Sequence, residues 1–190
     1  FEEKQRYLPD NPTLLSVGTF KWLPNVEAVT FLVQKIWPHV TKRVKNSKLW
    51  IVGNAPTKDV MDYQEKDPNI TVSGTIPDIR DAFKGAHVLV APVFSGKGTR
   101  YKILEAMASG TPIVATTTAV EGLDVKHGIH VLTSDTAKGM ADLVVKLLKD
   151  PALQKKLAKN GKAFVKSKYD WSIISEKLDT IYQTIGSNHA

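Results

Sequence analysis

The chain has no cysteine in its 190 residues. That excludes disulfides, thiolate metal sites and cysteine nucleophiles. It also fits a reducing compartment, so we expect a cytoplasmic protein. No apolar run approaches the ~20 residues that cross a bilayer as a helix. The opening Phe1-Glu2-Glu3-Lys4 lacks both an initiator Met and an apolar signal core, and we expect a piece of a longer protein. Two well-known phosphate loops are missing as well. A P-loop needs Gly-Lys followed by Ser or Thr, and here Gly98 follows Lys97. A dinucleotide fingerprint needs a third glycine where Tyr101 stands. The five histidines form no metal set: His127 and His130 are three apart but lack a carboxylate partner. No Ser/His/Asp arrangement is supported, so neither metal nor cofactor is expected.

What is present describes an ordinary folded domain. Hydrophobic residues make up 42% and charged residues 24%, enough for one core. The net charge is +7, and much of the excess lies between Lys138 and Lys168. Three readings stand beside each other: solvated helix faces, peripheral contact with the inner face of a membrane, or nucleic acid. No aromatic–basic interleaving or nucleic-acid motif supports the third, and nucleic acid is not expected as a partner.

Short apolar runs alternate with amphipathic segments. Strands are predicted at 13–17, 49–52, 70–73, 87–90, 113–116 and 128–132. Helices are predicted from Val26, capped by Asn25, to about Val40 or Lys45, then at 58–65, 79–84, 100–108, 136–149, 152–168 and 171–185. Pro38 is expected to kink or shorten the first helix. This alternation predicts an α/β fold, a Rossmann-like parallel sheet of about six strands with helices on both faces. Residues 1–12 read as the remnant of an interdomain linker, 13–185 as the folded domain and 186–190 as a tail.

In such a sheet, ligands sit beyond the carboxyl ends of the strands. The fourth strand runs there into Phe94-Ser95-Gly96-Lys97-Gly98-Thr99-Arg100, directly before a helix. Free N–H groups and the helix dipole attract anions at that point. Gly96 and Gly98 permit close backbone approach, and Lys97, Arg100 and Lys102 surround it. Glu105 is a carboxylate within the apolar run Leu104-Glu105-Ala106-Met107-Ala108. Part burial there requires donors: sugar or ribose hydroxyls, or Lys102. Lys21 in the loop after the first strand is within reach of the same phosphate, and Trp22 reads as a lid or as core packing, the expectation being packing. Gly74-Thr75-Ile76-Pro77 leaves the third strand and offers free backbone groups to a base, or is simply a turn. Glu121 and Asp124 are rim or turn residues.

The run from Gly98 to Ala115, with Leu-Glu-Ala-Met-Ala-x-Gly-x-Pro at 104–112, resembles the C-terminal domain of group 1 (family 4) glycosyltransferases of the GT-B fold. Val17-Gly18, Trp22-Leu23-Pro24-Asn25, Val52-Gly53 and Val72-Ser73-Gly74 support it in order. The resemblance implies one half of a two-domain retaining enzyme. This half would bind a nucleotide-sugar donor, and a missing N-terminal domain would bind the acceptor. It implies that no metal is needed. It places Glu105 on the donor ribose, Ile76 at the base, and Ser95, Gly96, Lys97, Gly98 and Thr99 on phosphate and sugar. The earlier of two family glutamates is replaced by Lys97, and the usual Arg and Lys after the first strand by Thr19-Phe20-Lys21-Trp22.

The expectation is then a donor-binding domain moving sugar to a glycan or lipid-linked acceptor in bacterial envelope polysaccharide or lipopolysaccharide synthesis. Gly18, Thr19, Lys21, Gly74, Ile76, Ser95 to Thr99 and Glu105 would hold the donor. Arg100 and Lys102 would stabilise the leaving diphosphate. The alternatives are a nucleotide-sugar epimerase or a phosphorylase on the same fold, and a non-catalytic basic module that binds membrane or a partner.

Overall fold

The computed structural model describes residues 6–96, 98 and 100–187. Six strands form one parallel sheet: β1 (Thr13–Val17), β2 (Lys48–Val52), β3 (Ile70–Val72), β4 (Val88–Ala91), β5 (Ile113–Ala115) and β6 (Leu132–Thr133). Their spatial order is β3-β2-β1-β4-β5-β6. The chain therefore winds outward from β1 in one direction, then restarts at β4 in the other. The loops after β1 and β4 diverge, which opens a crevice at their carboxyl ends.

The strands alternate between two apolar layers because successive side chains point to opposite faces. Leu14, Ile51, Val90 and Val114 face one layer with Val29, Leu32, Ile36, Met140 and Val144. Leu15, Val52, Leu89 and Ile113 face the other with Phe83, Ile103, Met107 and Phe164. The first layer is closed by α1 (Leu23–Phe31), α2 (Trp37–Thr41), α3 (Lys58–Lys66) and α6 (Ala137–Lys149). The second is closed by α4 (Ile79–Lys84), α5 (Tyr101–Ala108) and much of α7 (Pro151–Tyr169). Gly161 lets α7 lie close on α5: an added Cβ would meet the Met107 side chain at 3.2 Å. The last helix, α8 (Trp171–Ser187), begins after Asp170, whose carboxylate accepts from the Ser172 N–H at 3.1 Å.

The fold expected from the sequence is present, with four local corrections. The first helix begins at Leu23, not Val26, and Asn25 does not cap it; Pro24 lies in its first turn, where a missing N–H costs nothing. The expected single helix is two, joined by a π segment at Leu32–Ile36 in which the Trp37 N–H reaches back to the Leu32 carbonyl. Pro38 follows at once, lacking the donor that an unbroken α-helix would use. The sixth strand starts at Leu132 rather than 128, because Gly128 has φ +74° and the Ile129 and His130 N–H groups turn back to the Lys126 carbonyl. Trp22 is 68% exposed rather than part of the core.

The approach to β1 is docked on the domain. The Arg6 guanidinium donates to the Gly110 carbonyl at 2.7 Å and to the Ala86 carbonyl. Burial lowers its pKa to about 10. Among the described residues no helix is long and apolar enough to cross a membrane.

Candidate functional site

A cavity of about 640 Å3 lies where the β1 and β4 loops part, within the usual range of small-molecule sites. Val17, Gly18 and Thr19 come from the β1 exit, Gly53 and Asn54 from the β2 exit, and Thr75 and Ile76 from the β3 exit. Ser95, Gly96, Gly98, Arg100, Lys102 and Glu105 come from the β4 exit and α5. A second cavity, of about 670 Å3, lies between β2, β3 and α4 and contains none of these residues. The first has the chemistry: glycines, two cations and a carboxylate at one helix start.

The loops interlock before they meet a ligand. The Gly18 N–H donates to the Val52 carbonyl at 3.1 Å, and the Gly53 N–H to the Gly74 carbonyl at 2.8 Å. Gly96 has φ +99°, a conformation open to glycine and strained for other residues. At Gly98, which lines the cavity, an added Cβ would meet no described residue within 4 Å. Arg100 occupies the cap position of α5, and its side chain makes no cap hydrogen bond. The Ile103 and Leu104 N–H groups turn back to the Arg100 carbonyl, while the Tyr101 and Lys102 N–H groups have no acceptor among the described residues and can meet an anion.

Arg100 folds back over the loop. Both terminal nitrogens lie 3.3 Å from the Gly96 carbonyl, and one lies 3.6 Å from Glu121. Its Nε is buried without a partner among the described residues. Lys102 reaches across to α1 and donates to Asn25 Oδ1 at 2.8 Å. Burial, then the nearby Arg100 charge, push the Lys102 ammonium down to about 8, while Glu105 pulls the other way. Burial raises the Glu105 carboxyl above its ordinary value, and Lys102 opposes that shift. No side chain among the described residues hydrogen-bonds the Glu105 carboxylate, which leaves its oxygens as acceptors facing the cavity it lines. Trp22 and Tyr101 flank the opening, 68% and 66% exposed.

Gly18, Thr19, Ile76, Ser95, Gly96, Gly98, Arg100, Lys102 and Glu105 all line the cavity. Lys21 is exposed and Gly74 serves the Gly53 turn; neither is in the lining. Lys97 and Thr99 lie outside the described residues. Asn25 lines the site; the sequence offered it as a helix cap and as part of the Trp22–Asn25 segment, not as a site residue. Glu121 meets the rim through Arg100, whereas Asp124 pairs with Lys168 at 2.6 Å. His127 and His130 are spent on the β6 turn: His127 accepts from the Thr133 N–H and His130 from the Lys126 N–H.

The model of the family Glycosyl transferases group 1 matches residues 11–150. The chain belongs to the group 1 glycosyl transferases. Among relatives of this glycosyl transferase domain is a phosphatidyl-myo-inositol mannosyltransferase of Mycobacterium leprae. It is 28% identical over 109 residues, 56% of this chain and 29% of the relative. The capsular polysaccharide biosynthesis glycosyltransferase CapM of Staphylococcus aureus is 25% identical over 190 residues, 96% of this chain and 49% of CapM. The chain spans about half the length, or less, of the curated relatives it matches.

Solved glycosyltransferase structures share the fold. Anabaena HepE, in complex with UDP and glucose, superposes with a TM-score of 0.77 at 15% identity, covering 92% of this chain and 49% of HepE. The C-terminal domain of the group 1 family protein LpcC of Francisella tularensis gives a TM-score of 0.68 at 20% identity, covering 85% of this chain and 87% of that one. The sheet is thus the Rossmann-like half of a GT-B fold.

Proposed function

We propose that this chain is the donor-binding domain of a retaining glycosyltransferase, and that its cavity holds a nucleoside diphosphate sugar. One observation carries the reading. The carboxyl ends of β1 and β4 bring a free glycine backbone, an uncapped helix start, Arg100 and Lys102 together with the acceptor Glu105. Phosphate oxygens need donors and positive charge, and a ribose diol needs acceptors. The site offers both in adjacent turns of one helix. HepE, similar in fold, holds UDP and glucose.

In this reading the diphosphate lies over Gly96 and Gly98, and the base lies near Ile76. As the sugar leaves, negative charge grows on the diphosphate. Arg100, Lys102 and the α5 N–H groups meet that charge in a partly buried site, where it counts for more than in water. The leaving-group charge is assigned to these groups rather than to a metal ion. The acceptor, a glycan or lipid-linked sugar of the bacterial envelope, would be presented by the remainder of a longer protein. CapM, a polysaccharide glycosyltransferase, supports that pathway as a proposal.

Calorimetric titration of this chain with UDP, GDP and their sugars tests the reading. We expect one site whose affinity falls with added salt, since two cations meet the diphosphate. Lys102→Met should weaken binding by about ten-fold or more. A chain that binds none of these nucleotides, yet melts cooperatively, would refute the donor-site assignment.

A further inference from the structure

Lys102 comes from α5 and Asn25 from α1, 77 positions apart in sequence. The Asn25 side chain is fixed at both ends. Its Nδ2 donates to the Thr19 carbonyl at 2.9 Å, and its Oδ1 accepts from Lys102 Nζ at 2.8 Å. Turning the amide over would set an NH2 group against an ammonium, so the two bonds select one orientation. Asn25 is also wedged against the β1 exit. A Cβ on Gly18 would stand 2.9 Å from Asn25 Cγ and 3.0 Å from its Cβ. Glycine at position 18 is what gives this side chain its place.

We propose that Asn25 is the positioning residue of the phosphate site: wedged against Gly18 and tied to the Thr19 carbonyl, it holds the Lys102 ammonium where the donor diphosphate arrives. This rests on the donor-binding reading above. A neutral amide suits the task. It satisfies one ammonium donor and orients the side chain, but it does not cancel the charge. The remaining two donors have no partner among the described residues and can meet phosphate oxygens. A carboxylate in its place would neutralise Lys102 and repel the ligand. The charged groups acting on Lys102 are Arg100 and Glu105 from its own helix, with Glu121 beyond Arg100. Asn25 is the polar contact from α1, and Glu27 of that helix is taken by the Ser95 hydroxyl at 3.4 Å.

The sign of the pH effect follows. The unliganded Lys102 titrates near 8, and a bound diphosphate favours its charged form. Binding therefore takes up a proton above that pH, and affinity falls as pH rises through about 8. Loss of the Asn25 acceptor destabilises the ammonium and moves this fall to lower pH. An aspartate moves it to higher pH while weakening binding at neutral pH.

The test is UDP and GDP titration at a series of pH values for the wild type, Asn25→Ala, Asn25→Asp and Gly18→Ala. Asn25→Ala should cost about ten-fold in affinity and shift the alkaline fall downward. Asn25→Asp should lose at least as much at neutral pH and shift the fall upward. Gly18→Ala leaves Asn25 in the sequence but displaces it, and should copy Asn25→Ala. If a position-25 variant does not fold, Gly18→Ala alone decides. Wild-type affinity and an unchanged pH profile in the folded variants would overturn the proposal. If the wild type binds neither nucleotide, the donor reading fails by itself. The Lys102 side-chain NMR titration of the unliganded chain then judges Asn25: opposite shifts in the Ala and Asp variants support its role, and no movement refutes it.

Discussion

A Cβ atom on Gly53 would stand 1.6 Å from the carbonyl oxygen of Gly18. The loops after β1 and β2 thus cross in contact, and the cavity wall depends on that crossing. Gly53→Ala cannot be absorbed by a rotamer change, because the obstacle is backbone. Its φ of +155° adds strain for any side chain. We expect urea denaturation to show a loss of about 2–4 kcal/mol. Gly98→Val is the contrast. Its Cβ would meet open space, so stability should hold while the side chain fills the place proposed for a phosphate. Unchanged UDP affinity in that variant would count against the diphosphate placement.

Glu105 carries a different signature. Its raised pKa means that burial penalises the carboxylate. The stability of the neutral form is fully present below the ordinary carboxyl value and is lost as pH rises through the raised one. Glu105→Gln removes that loss, so stability should rise more steeply with pH across the acid range in the variant than in the wild type. The same change removes an anionic acceptor from the proposed ribose, and donor affinity should fall by about 1–2 kcal/mol. Equal binding of ribo- and 2′,3′-dideoxynucleotides by the wild type would disprove the ribose role.

His87 gives a pH-dependent seam away from the site. Its Nδ1 accepts the Thr13 N–H at 3.0 Å at the start of β1, which a protonated ring cannot do. Burial, then the Arg6 charge, depress its pKa. The contribution is fully present above the ordinary histidine value of about 6.5. It is lost as pH falls through the depressed one. Thermal melts should therefore decline between neutral and mildly acid pH, and His87→Ala should be less stable at neutral pH with a shallower decline. An equally steep decline in the variant would place the acid sensitivity elsewhere.

The sequence showed some of this arrangement plainly and hid the rest. Strands such as Leu49 to Val52 and Val88 to Val90 are apolar on both faces because helices cover both sides, so they stand out as runs. The cavity-lining residues Gly96, Gly98, Arg100, Lys102 and Glu105 were legible because they lie close together in sequence, in the loop before α5 and its first turns. Asn25 was not. Its partners are Thr19, Gly18 and a lysine 77 positions away that only the fold brings near. Lys21 was expected at the phosphate from its place in the loop after the first strand, but it stands exposed and outside the cavity lining. Trp22 shows that a large aromatic near a glycine exit need not enter the core; it stands beside the cavity mouth.

The final helix supplies the last prediction. Trp171, Ile174, Leu178, Ile181 and Ile185 recur at helical spacing and form one stripe. All five are exposed, Trp171 by 80% and Ile181 by 55%. An apolar stripe of this length left in water stabilises nothing here. The core of the domain closes without it, through Leu157 and Phe164 of α7. We propose that the stripe meets a second domain of a longer protein. Deletion from Trp171 onward should leave the melting temperature within a few degrees, about the shift expected from 1 kcal/mol or less. UDP affinity should also be unchanged, because no described α8 residue lines the cavity. A large drop in melting temperature would instead make α8 part of this domain's own core, and the proposed contact with a second domain would lose its basis.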